Sequence, residues 1–178
     1  MGQYYNPIIL EKDSDTIKSY MYSHDYGSGL KLMEHSWMGN KFVGAFESQL
    51  VENPQRVVWA GDYADDEPDG NNLHYLCDEE QKVTPASTVV SIKKYPYLVN
   101  WTKGLYIDKR KVKDIEGWSI HPLPLMTCEG NGRGGGGYSY NDVAEVDLVG
   151  SWSRDLISVE KKVEKDFTEV EFSLVENY

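Results

Sequence analysis

One stretch of this chain, Lys41–Glu52, repeats its apolar residues at helical spacing, and its isolation constrains the fold more than any motif does. Phe42, Val43, Phe46 and Leu50 fall at three- and four-residue intervals. Asn40, after Gly39, is placed to cap the start, and Asn53-Pro54 to stop the helix. The remainder reads as β-rich runs broken by turn chemistry. Gln3–Glu11 and Thr16–Ser23 flank the polar cluster Lys12-Asp13-Ser14-Asp15 and predict a hairpin. In the second run Ile17, Ser19, Met21 and Ser23 alternate with Lys18, Tyr20 and Tyr22, and neither set is cleanly apolar, which suits a sheet edge. Arg56–Asp62 reads as a buried strand. Tyr97–Trp101 and Leu105–Lys111, joined by Thr102-Lys103-Gly104, read as a second hairpin. Leu30–His35, Leu148–Trp152, Leu156–Lys161 and Val170–Val175 are expected as strands, and Ile120–Cys128, interrupted by Pro122 and Pro124, as an extended edge. The expectation is one α+β domain over residues 1–178: a mostly antiparallel sheet with one main helix, about residues 41–52, packed on it.

Charge narrows the partners. The 178 residues carry 29 Asp and Glu against 18 Lys and Arg, a net charge of −11. Coating nucleic acid needs clustered cations, so that class is excluded. An acidic surface instead suits a basic protein partner, including one whose groove normally takes nucleic acid. Thirteen tyrosines add recognition material, because the ring packs while the hydroxyl bonds. No apolar run approaches the ~18–20 residues needed to span a bilayer, so no membrane partner is expected. The start lacks the pattern of a secretory leader, and Cys77 and Cys128 form no CxxC pair, which together imply a cytoplasmic location.

The most unusual local sequence is Glu129-Gly130-Asn131-Gly132-Arg133-Gly134-Gly135-Gly136-Gly137-Tyr138. Glycines let successive backbone N–H groups converge on one point, and such a concavity takes phosphate or carboxylate. Arg133 adds a bidentate clamp. No Lys-Ser/Thr follows, so this is not a Walker A loop, and no helical pattern follows either, so it is not a dinucleotide fingerprint. The expected binding residues are Gly130, Asn131, Gly132, Arg133, Gly134 and Gly135. Arg154, in Ser151-Trp152-Ser153-Arg154-Asp155, is the candidate second cation. The ligand would be a small nucleotide-like anion with a Tyr or Trp stacked on its base. The plainer reading of Arg154 is an ion pair with Asp155 at a strand end, Trp152 lying in the core.

Other chemistry is thinly signalled. Asp65-x-Glu67-x-Asp69-Gly70 opens like a calcium loop, but its twelfth position is Leu76 where a bidentate Glu belongs. His74 with Cys77 and His121 with Cys128 would make a zinc site only if folding joined the pairs. No metal and no cofactor are therefore expected. Neither a GxSxG elbow nor HExxH is present. Three readings stand: a binder of a small anion at the glycine-rich loop, an acidic immunity-type or anti-defence inhibitor of a basic protein, and a hydrolase or transferase built from His121, Glu129 and Asp155.

Several segments together resemble a known family. They are the opening MGQYYNPIIL, Tyr26–Glu34, Ala60–Asp65, Tyr97–Asn100, His121-Pro122-Leu123-Pro124-Leu125 leading to the glycine motif, and Trp152–Glu160. They are similar to a family of small uncharacterised proteins of bacteria and phages that begin MGQY and carry an HPLPL…EGNGRGGG motif. The resemblance spans nearly the whole chain and implies no activity. It does imply that Asp62, Glu129, Asn131, Arg133 and Asp155 belong to a recurring pattern. The family pattern places an Asp soon after the glycines, where this chain has Gly137-Tyr138.

Overall fold

The N-terminal hairpin forms as its turn chemistry predicts. In a computed structural model that describes residues 2–115, 117–130 and 148–172, strand β1 (Tyr5–Leu10) pairs antiparallel with β2 (Ile17–Tyr20). Ile9 faces Ser19 and Leu10 faces Ile17, so Lys18 is an extra residue in the ladder. That bulge turns both Ile17 and Tyr20 inward, onto Ile8, Leu10, Val58, Ala60 and Leu73. It is the reason the run shows no clean alternation.

Helix α1 (Leu32–His35) replaces the strand expected over Leu30–His35. Glu34 reaches back to accept the Lys31 N–H at 3.0 Å, and the turn buries Leu32 and His35. Helix α2 (Lys41–Ser48) starts where predicted, the Asn40 side chain accepting from the Phe42 and Val43 N–H groups. It stops four residues early because the next backbone is claimed by the sheet. Leu50 O accepts from Val159 N, and Glu52 N donates to Val159 O, both at 2.9 Å.

Strand β3 (Gln55–Gly61) follows, then the short α3 (Leu73–Leu76), and the hairpin of β4 (Tyr97–Asn100) with β5 (Leu105–Asp108). A small two-stranded ribbon, β6 (Asp114–Ile115) with β7 (Trp118–Ser119), lies apart from the main sheet. Helix α4 (Pro122–Thr127) overturns the extended reading of Ile120–Cys128. Both prolines fall in its first turn, where a missing N–H costs no helical bond, and the His121 side chain caps it by accepting from Leu123 N. Strand β8 (Cys128–Glu129), turns over 148–155 in place of the strand expected at Leu148–Trp152, then β9 (Leu156–Glu160) and β10 (Thr168–Glu169) complete the described chain. The strand expected at Val170–Val175 is not formed over 170–172, and 173–175 lie outside the described residues.

The result is an α+β fold with a mostly antiparallel eight-stranded sheet, ordered β10-β5-β4-β9-β3-β1-β2, and β8 beside β3. The β8–β3 and β10–β5 pairings are parallel. Strand β3 is buried on both faces. Val57 and Trp59 point to the core under α2, with Phe46 edge-on to Trp59 at 5.1 Å, while Val58 and Ala60 point to the opposite cluster. Among the described residues no helix is long and apolar enough to cross a membrane.

Candidate functional site

One edge of β3 is shared by two strands. Its first half pairs antiparallel with β9 through Gln55 and Arg56, and its second half pairs parallel with β8 through Trp59 and Ala60. Arg154 sits at the fork between them. Its N–H donates to Val57 O at 2.8 Å, and its φ is +66°, a left-handed conformation unfavourable for an arginine. The side chain faces three carboxylates. Nε meets Glu129 Oε2 at 2.7 Å, Nη2 meets Glu129 Oε1 at 2.9 Å and also Glu67, and Nη1 lies 3.3 Å from Glu67 and 3.1 Å from Asp15. Five N–H donors thus have five carboxylate contacts. Burial alone would lower the Arg154 pKa; its bonds to Glu129 and Glu67 outweigh burial and raise it. Arg56 completes the group, holding Asp15 at 2.7 Å.

Of the expected anion-binding residues, Gly130 is buried at the end of β8, and Arg154 is enclosed by carboxylates as just described. Asn131, Gly132, Arg133, Gly134 and Gly135 lie outside the described residues. Trp152 is in the core, as the plainer reading had it, but Arg154 pairs away from Asp155. Asp155 bonds Asn100 at 2.8 Å and pairs with Lys103. His121 bonds Glu47, so the structure sends His121, Glu129 and Asp155 to three different sets of partners and builds no dyad from them. Glu67, the middle acid of the calcium-like loop, is spent on Arg154. Among the described residues no three His, Cys, Asp or Glu side chains group as metal ligands. Burial pushes the thiols of Cys77 and Cys128 up to about 12.

An anionic face lies beside the fork. Residues 57–81 contain eight Asp or Glu and no Lys or Arg. Tyr4 and Asp62 exchange backbone and side-chain bonds at 3.0 Å, which joins the entry to β1 to the exit of β3. Asn72 then ties this end to α3, donating to Asp62 O and Ala64 O and accepting from Tyr75 N. The result presents Tyr4 (44% exposed), Tyr63 (44%) and Tyr75 (58%) alongside exposed Asp65, Asp66 and Asp69. Next to it runs a groove of about 400 Å³ whose charged lining groups, Asp15, Glu67 and Asp69, are all acidic.

A second charged cluster is interior. Glu47, Lys109 and His121 are each at most 4% exposed. Glu47 pairs with Lys109 through one oxygen and with His121 Nε2 through the other at 2.5 Å. Because Leu123 N–H points at Nδ1, that nitrogen carries a lone pair, and the ring proton sits on Nε2 facing Glu47. Burial would push the Glu47 carboxyl up; His121 and Lys109 outweigh it and hold it at about 2. The sequence held a signal for this group: Val43, Phe46, Glu47 and Leu50 share one helical stripe, so Glu47 interrupts an apolar face.

No family model, curated protein or solved structure matches this chain.

Proposed function

We propose that this chain is a binding protein that docks on a basic surface of a partner protein, in the manner of an immunity or anti-defence inhibitor filling a groove. The observation that carries the reading is the face on which three exposed tyrosines stand among acids in a stretch free of Lys and Arg. Tyrosine supplies contact area with few rotatable bonds. The acids steer a basic partner and accelerate encounter. The adjoining acidic groove suits a Lys or Arg side chain from that partner.

The test is capture of partner at low salt by the wild-type chain and by an Asp65→Lys/Asp66→Lys/Asp69→Lys variant, followed by association kinetics with the captured protein. The reading expects a basic protein, an association rate that falls with salt, and loss of about tenfold or more in that rate in the variant. A captured protein that binds both chains equally, or whose association ignores salt, sinks it. Glu67 is left out of the variant because reversing it would break the Arg154 cluster. The rival reading, a small anion held at residues 130–135, predicts that Arg133→Ala abolishes ligand binding; docking through the tyrosine face predicts no effect of that change.

A further inference from the structure

The segment 88–93 crosses α2 at Gly44, where the Thr88 carbonyl and the Val89 backbone occupy the space a side chain would need. Alongside this crossing lies a pocket of about 360 Å³, of a size that takes a small molecule. Met38, Val89, Val90 and Ile92 supply its apolar lining, and Glu47, Lys109 and His121 also line it. These three polar groups are buried, yet their bonding is incomplete in one respect. Both Glu47 oxygens are used, by Lys109 and His121, and His121 Nδ1 is used by Leu123. The Lys109 ammonium, its side chain 1% exposed, has Glu47 as its one hydrogen-bond acceptor among the described residues. An ammonium has three donors, so two are unmatched where an unmatched donor is costly. Lys93, exposed, adds a second cation to the lining. Lys93 and Lys109 against Glu47 leave the lining with an excess of positive charge.

We propose that this pocket binds a small apolar carboxylic acid as its anion. The carboxylate accepts the two spare Lys109 donors and balances the excess charge, while the hydrocarbon part packs on Met38, Val89, Val90 and Ile92. A cationic ligand would add to the positive charge of the lining. The site is independent of the tyrosine face, since none of Tyr4, Tyr63, Tyr75, Asp65, Asp66 or Asp69 lines it.

Hexanoate and phenylacetate, with hexanamide and phenylacetamide as uncharged counterparts, are the probes, titrated by calorimetry and followed by amide-shift NMR. Saturable binding of at least one acid is expected, with its amide about tenfold weaker or worse. Val90→Trp fills the pocket without altering the polar groups and abolishes binding while far-UV dichroism and melting stay near wild type. The paired variant Lys109→Met/Glu47→Gln strands no buried charge, and it loses the preference for acid over amide. Failure of both acids to bind, equal binding of the amides, or retained acid preference in the paired variant overturns the proposal.

Discussion

Glu129 and Arg154, 25 positions apart in the chain, meet fork to fork, Nε on Oε2 at 2.7 Å and Nη2 on Oε1 at 2.9 Å. The pair fastens β8 to the start of β9 where both reach the same edge of β3. Replacing Arg154 by Met removes the guanidinium that pairs with the buried carboxylate of Glu129. Such a break costs about 3–5 kcal/mol. Urea unfolding at neutral pH checks it, and a wild-type midpoint would show that the cluster carries no stability.

His35 supplies a pH signature. It accepts from Trp59 Nε1 at 2.9 Å and faces Gly29 O at 2.9 Å, and burial depresses its pKa to about 4. Between about 4 and 6.5 the unfolded chain binds a proton that the folded chain refuses, so stability is full above pH 6.5 and declines as the pH falls toward 4. The loss is on the order of 3 kcal/mol at its limit. His35→Gln keeps a donor and an acceptor without titrating, and its stability between those pH values should be flatter than wild type in denaturant melts.

Glu47 acts at lower pH. Its folded value of about 2 lies below the ordinary 4.5, so its contribution is present above pH 4.5 and is lost as the pH falls through that interval. An acid titration followed by near-UV dichroism should therefore show a second loss of packing below pH 4.5, absent in the paired Lys109→Met/Glu47→Gln variant.

Both cysteines should be silent. With their thiols pushed up to about 12 and Cys128 fully buried, neither forms thiolate at pH 8 in the folded chain. A disulfide reagent should titrate both thiols in denaturant and react far more slowly without it; rapid native labelling of Cys128 would contradict the packing.

Gly44→Ala tests the crossing over α2. The added carbon meets the Thr88 carbonyl and Val89 backbone, which are not flexible side-chain ends. Displacing them should cost about 1–3 kcal/mol despite the better helix propensity of alanine. A thermal melt unchanged or raised would show that segment 88–93 yields freely.

What the sequence made legible was local. The two hairpins, the Asn40 cap and the apolar run of β3 each carry their signal within a few residues, and each appears where expected. Helices α1 and α4 were hidden because one turn gives no period to read; α4 depends on a His121 side chain acting as cap and on prolines that happen to fall in the first turn. The candidate site was hidden for a different reason. Arg154 and Glu129 were both singled out, but Glu67 lies 87 residues from Arg154 in sequence, and nothing local says that these carboxylates would enclose an arginine expected to hold an anion. Glu47 was not among the expected residues either, although a charge on an apolar stripe is a signal that spacing alone carries.

The fork on β3 also governs how this edge of the sheet can open. Gly150 N donates to Leu125 O and Trp152 N to Met126 O, both at 2.7 Å, so the turns ahead of β9 are stapled to α4, just ahead of β8. Together with the Glu129–Arg154 pair, these bonds tie the segment that leads into β9 to the one that leads into β8. Neither β8 nor β9 can therefore leave β3 alone: opening either one pulls on Glu129–Arg154 and on the two backbone bonds to α4. The edge works as a clasp: its two strands open together or stay shut, so this part of the sheet should exchange its amide hydrogens as one unit.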